Sequence, residues 1–72
     1  MRYKVVVNRD DEGNWVVSVP ALPGCHTWGD SRDTALANAR EAIEGYIESL
    51  EAAGEPVPSD ETDVEVAVVS VP

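Results

Sequence analysis

The hydrophobic period of the chain changes once, at Gly29-Asp30-Ser31, and that change decides what it can fold into. Before it, Tyr3, Val5 and Val7, and then Trp15, Val17 and Val19, fall on every second residue, the period of a half-buried strand. After it, Leu36, Ala39, Ile43, Tyr46, Ile47 and Leu50 recur at three- and four-residue steps, the apolar stripe of an amphipathic helix. One such stripe makes one helix layer, and one helix layer covers only one face of a sheet.

The boundaries follow from local chemistry. Residues 2–8 and 15–20 are predicted strands, joined by the polar hairpin 9–14 with its Gly13. Pro20 and Pro23 end the second strand because neither can donate to a ladder. Residues 25–29 form a short third strand. The helix is expected over 32–53, with Ser31 or Asp30 as N-cap, Asp33 near the positive end of the dipole, Gly54 as C-cap, and Pro56 and Pro58 beyond. Residues 55–63 are an acid- and Pro-rich connector, and the Val-rich stretch 64–71 reads as a last strand.

The expected fold is therefore α+β, a single β-β-β-α-β domain over residues 1–72. One helix packs on a four-stranded mixed sheet, and a right-handed crossover leaves the last strand parallel to its neighbour. The core is predicted as Tyr3, Val5, Val7, Trp15, Val17, Val19, Leu36, Ile43, Ile47, Leu50, Val66 and Val68.

Charge excludes several functions. With 14 Asp and Glu against 5 Lys and Arg, the 72-residue chain carries a formal charge of -9. Phosphate backbones and anionic membranes are repelled by such a field, so neither nucleic acid nor lipid is expected as a direct partner; a basic protein is attracted. The single Cys25 forbids an internal disulfide. The opening residues lack an apolar region of signal-peptide length, and no apolar run approaches a membrane span, so the expected location is the cytoplasm.

Few residues could carry catalysis. Asp10-Asp11-Glu12 lacks the spaced ligands of a calcium loop and reads as a solvated turn. Cys25 and His26 point to opposite faces if they lie in a strand, and the sequence has no second Cys or His to complete a zinc site. No base is available for a hydroxyl nucleophile, and Cys25 is read as a small core residue. No catalytic residue, metal or cofactor is expected. His26 beside an aromatic, Trp28 at the end of a strand, and the helix acids Glu41, Glu44, Glu48 and Glu51 remain as surface features.

The run Trp15-Val16-Val17-Ser18-Val19-Pro20, followed by Leu22-Pro23-Gly24-Cys25-His26-Thr27-Trp28-Gly29-Asp30-Ser31, resembles the HicB-like antitoxins. The helix sequence Ala35-Leu36-Ala37-Asn38-Ala39-Arg40-Glu41-Ala42-Ile43 and the stretch Gly54-Glu55-Pro56-Val57-Pro58 match as well. The resemblance implies a partial RNase H-like fold. It also implies a non-enzymatic antitoxin domain of a type II toxin-antitoxin system, one that neutralises a small basic HicA-type ribonuclease toxin. Fuller members append a DNA-binding segment after the last strand, and none is expected within these residues. Solitary HicB-like accessory domains also occur, and a metal-dependent nuclease is the third reading; residues 3–7 lack the strand-one carboxylate that a nuclease needs.

Resemblance and charge together nominate His26, Trp28, Asp30, Glu41, Glu44 and Glu48 as toxin contacts, with Asp30 the alternative helix cap. Val6 and Val16, on the sheet face away from the helix, are the expected interface of a homodimer or higher oligomer.

Overall fold

The computed structural model describes residues 1–72. Strands β1 (Val6–Arg9), β2 (Trp15–Ser18) and β3 (His26–Gly29) form an antiparallel sheet in the order β1-β2-β3, and helix α1 (Arg32–Ala52) packs on one face of it. Across the sheet, Val7 faces Val17 and Val17 faces Thr27, while Val16 lies between Asn8 and Trp28. The first set turns toward the helix and the second away from it, as strand alternation requires.

Asp10 closes the β1–β2 hairpin. Its Oδ1 accepts from the backbone N–H groups of Glu12 and Asn14, both at 2.9 Å. These bonds hold its carboxyl below the ordinary range, the Asn14 amide contributing most. Arg9 stacks over the Trp15 ring at 4.8 Å and donates to the Gly13 carbonyl, so Trp15 sits at the rim of the core.

Both helix ends are capped as their residues dictate. The Ser31 side chain accepts from the Thr34 N–H, which leaves Asp30 out of the cap. At the other end Gly54 takes φ +69°. Its N–H bonds the Glu51 carbonyl and the Glu55 N–H bonds the Leu50 carbonyl, a Schellman closure that needs a residue without a Cβ.

The core has two halves. Val17, Ala35 and Ala39 form one, flanked by Val5, Val7, Trp15 and Leu36. Val19, Leu22 and Cys25 form the other, against Tyr3, Val5, Ala42, Ile43 and Tyr46. Leu22 is fully buried although it lies in a turn. Backbone bonds Val19 N–H to Cys25 O, Leu22 N–H to Val19 O and Cys25 N–H to Leu22 O fold that turn inward, and the Tyr46 hydroxyl pins it by donating to the Pro23 carbonyl at 2.9 Å. Ile47 and Leu50 are half-buried along the helix margins.

Helix and sheet come closest at Gly29. A Cβ there would lie 2.5 Å from the Ala35 amide nitrogen and 2.9 Å from its Cα. No real side chain tolerates this, so Gly29 with Ala35 and Ala39 sets the helix-to-sheet spacing. The Asn38 amide, donating to the Trp28 carbonyl at 2.9 Å, fixes the helix along β3.

The sequence predicts a fourth strand over 64–71 and places Val66 and Val68 in the core. The structure corrects both. Residues 57–72 form no strand, and Val66 and Val68 are 87% and 92% exposed. With no parallel partner the sheet is wholly antiparallel, not mixed, and the expected crossover ends without a strand. The physical reason is that valine favours a strand only where a ladder and a face to bury on are supplied. Within this chain the segment meets neither.

Gly29→Ala is expected to destabilise the fold by about 1–3 kcal/mol, the usual cost of overpacking, because backbone atoms cannot yield to the new methyl. Gly45→Ala, mid-helix with nothing within 4 Å of its Cβ position, should instead stabilise by up to about 1 kcal/mol. Thermal denaturation of the pair checks both signs.

Candidate functional site

The exposed side chains of interest gather at the free edge of β3. Trp28 is 61% exposed, and no other large hydrophobic within the strands or helix is left so open to solvent. It stands on the sheet face away from the helix because its neighbours in the chain, Thr27 and Gly29, take the inward positions. His26, two residues earlier, shares that face and is exposed. Cross-strand pairing sets Val16 directly against Trp28, and Val6, paired with Ser18, also faces outward.

The groove between the β3 edge and α1 holds two separate shallow depressions. Thr27, Trp28, Gly29, Asp30, Thr34 and Asn38 line one. Cys25, His26, Gly45, Tyr46 and Ser49 are among the residues lining the other. Thr34, Asn38, Gly45 and Ser49 lie on one helical stripe. Glu41 falls in the same stripe, three residues after Asn38 and four before Gly45; Glu48 follows it by seven. Asp30 is exposed at the head of the groove, free of the cap that Ser31 provides.

Of the six residues nominated as toxin contacts, His26, Trp28 and Asp30 lie at the β3 edge, while Glu41, Glu44 and Glu48, spaced three and four residues apart, share the exposed face of α1. Glu44 pairs with the Arg40 guanidinium at 3.1 Å and borders a further depression with Leu36, Ile43 and Ile47. The ion pairs are Arg40–Glu44 and Lys4–Asp60, so Asp30, Glu41 and Glu48 hold no partner cation. Val6 and Val16, nominated for a separate interface, share the outward face with His26 and Trp28.

Thr34 and Asn38 join the groove without having been singled out from the sequence. Their signal was the four-residue step from Thr34 to Asn38, continued by Glu41. Cys25, beside the groove, is only 7% exposed, and burial pushes its thiol pKa up. It is a core side chain, as its residue type suggested.

The far edge of the sheet has the opposite character. Just before β1, the Lys4 N–H donates to Asp60 Oδ2 at 2.8 Å and the Lys4 ammonium meets the same oxygen at 3.1 Å. The Tyr3 hydroxyl donates to the Pro58 carbonyl. These contacts hold residues 58–60 against the start of β1. The Lys4 amide bond, more than its charge, lowers the Asp60 pKa below 3.8. No helix is long and apolar enough to cross a membrane.

Comparison with known proteins agrees with this architecture. Residues 3–70 match a family described as the HicB-like antitoxin of bacterial toxin-antitoxin systems. A UPF0150 protein of Thermoplasma acidophilum is 48% identical over 63 residues, covering 88% of this chain and 91% of that one. Antitoxin HicB 1 of Photorhabdus laumondii is 38% identical over 76 residues; the match covers 97% of this chain but 49% of the relative, about half its length. The crystal structure of the N-terminal domain of the Burkholderia pseudomallei antitoxin HicB superposes with a TM-score of 0.73 at 42% identity, covering 81% of this chain and 69% of that one.

The depressed Asp60 pKa carries a pH dependence. A carboxylate whose folded pKa lies below its unfolded value adds stability that is fully present above the unfolded pKa, here 3.8, and is lost as pH falls through the folded value. Asp60→Asn should lower stability at neutral pH. Because Asp60 then no longer adds to the acid loss, the gap between variant and parent should narrow below about pH 4. Urea midpoints measured from pH 7 to pH 2.5 read that difference.

Proposed function

The chain belongs to the HicB-like antitoxin family, and on that premise we propose that it binds and neutralises a small basic HicA-type ribonuclease toxin through the β3 edge. The observation that carries the reading is one exposed aromatic, Trp28, with unpaired acids beside it and on the exposed face of the adjoining helix, Asp30, Glu41 and Glu48. A partner that holds RNA must present Lys and Arg, and the chain at -9 draws it in at long range. Trp28 supplies the desolvated anchor that charge alone cannot, since attraction without a packed contact fixes no register.

Trp28 and Val16 lie in one cross-strand pair, so the outward sheet face goes to the toxin together with the edge, and Val6 and Val16 extend that contact rather than forming a second interface. Glu44, whose charge Arg40 already offsets, is left out of it. Inhibition is stoichiometric, by occlusion. β1 reads Val6-Val7-Asn8-Arg9 and offers no carboxylate, which weighs against the nuclease reading.

The test is a binding titration with the basic protein encoded beside this one, read also as protection of RNA from cleavage. Trp28→Ala should weaken binding at least tenfold, since a central aromatic anchor is worth about 2 kcal/mol or more. Glu41→Lys should slow association, while Glu44→Lys, at an acid that Arg40 already offsets, should change it less. Unchanged affinity for Trp28→Ala removes this edge from the interface. Absence of any binding removes the toxin reading and leaves the solitary accessory domain.

A further inference from the structure

The depression beside the start of β3 is kept open by two residues without side chains. Gly24 and Gly45 line it, and a Cβ at either would meet nothing within 4 Å. Its volume is about 410 Å³, at the small end for a ligand site. Tyr46 lines it too, its hydroxyl already fixed on the Pro23 carbonyl at 2.9 Å. Ser49 and Glu55 complete the border toward the end of the helix. The chain gives neither the Ser49 hydroxyl nor the Glu55 carboxylate a hydrogen-bond or ion-pair partner.

The backbone adds a further acceptor. The Val19 N–H bonds the Cys25 carbonyl, so by strand alternation Cys25, Thr27 and Gly29 bond toward β2, and the amide groups of His26 and Trp28 turn to the open edge. At Trp28 the helix supplies a partner, because the Asn38 amide donates to that carbonyl. The helix runs back along β3, so the residues level with His26 lie about one turn beyond Asn38, toward Ala42 and Gly45. Neither has a side chain that could do what Asn38 does. The His26 carbonyl is left unbonded at the rim of the depression.

We infer that this depression receives one arginine side chain of the basic partner protein. The inference rests on the toxin-binding reading above and names the chemistry of one contact within it. A guanidinium carries five N–H donors and no acceptor. The depression presents acceptors: the His26 carbonyl, the Ser49 hydroxyl and the Glu55 carboxylate. A guanidinium also stacks on an aromatic ring, and Tyr46 offers one whose position is fixed before the guest arrives. A lysine ammonium, compact and strongly hydrated, exploits neither the ring nor acceptors set this far apart. The field has the matching sign. No Lys or Arg lines the depression, and the last helical turn holds no basic residue, so the negative end of the helix dipole is uncompensated. Glu41 and Glu48, four residues before Gly45 and three after it, are its neighbours on the helix surface. His26 lies about 7 Å from Trp28 along β3, so an arginine seated here and a surface packed on Trp28 belong to one contact.

NMR titration of the full chain with N-acetyl-arginine methylamide tests the depression directly, with the citrulline analogue as an uncharged isostere. The amide signals of Gly24, Gly45 and Glu55 should shift and saturate in the millimolar range with arginine, and stay in place with citrulline. Gly45→Leu fills the depression from a helical position with open space at its Cβ, so helical content should hold while arginine binding falls at least tenfold. Gly45→Ala should change it little, and Glu55→Gln, which leaves the packing alone, should weaken it several-fold. In the titration with the basic protein encoded beside this one, Gly45→Leu should also cost at least tenfold. Absence of saturable shifts at those amides, or equal shifts with citrulline, overturns the proposal. Parental affinity of Gly45→Leu for the toxin, where Trp28→Ala is weakened, overturns it too and leaves the toxin reading standing. Arginine bound at the depression by a chain that binds no toxin upholds the site and removes that reading instead.

Discussion

The packing of α1 on β3 rests on a contact with no side chain in it. The backbone of Ala35 meets the backbone of Gly29 where a Cβ would lie 2.5 Å away, and the neighbouring helix position on the same face, Ala39, is also small. This approach draws the helix over β3 and β2, so its apolar stripe closes on Val17, Val19 and Leu22. It also tilts the balance of coverage. The β3 side of the molecule is dense and fixed, with Asn38 holding the Trp28 carbonyl, while the β1 side ends in a strand with one neighbour. The two edges of a three-stranded sheet thus become chemically distinct, one with an exposed indole, the other bonded to residues 58–60 through Tyr3 and Lys4.

Much of this was legible in the residues. Ser31, Asp33 and Gly54 mark the helix ends because capping is local chemistry, decided by a side chain and the few amides beside it. Alternation in 3–7 and 15–19 gave the inward face correctly because a buried face imposes period two. Leu22 was not legible: it belongs to a turn by composition, and only the ladder of bonds between Val19 and Cys25 shows that the turn folds under the helix. Val66 and Val68 were misjudged for the converse reason. Their residue type speaks of strand, but a strand is a relation between two segments, and the sequence of one does not show whether the other is within reach.

The candidate site was legible in its parts and not in its arrangement. Each of His26, Trp28, Asp30 and the helix acids stands out by residue type and exposure. Which of them lie together depends on register and on helix azimuth. Val16 facing Trp28 follows from a pairing that no local feature announces. Glu44 differs from its helix neighbours Glu41 and Glu48 in that Arg40 reaches it. His26, Trp28 and Asp30 lie beside the helix because strand β3 and α1 run side by side, a consequence of the Gly29 contact again.

The burial of Cys25 has a use at the bench. Its sulfur sits beneath the 19–25 turn, and its raised pKa leaves little thiolate at neutral pH, so a thiol reagent reaches it chiefly when that turn lifts. With a single thiol in the chain, the rate of labelling in native buffer, compared with the rate in denaturant, becomes a clock for local opening of the lower core half. By the same token, a covalent dimer found after exposure to air records molecules that have opened, and says nothing of how folded copies associate.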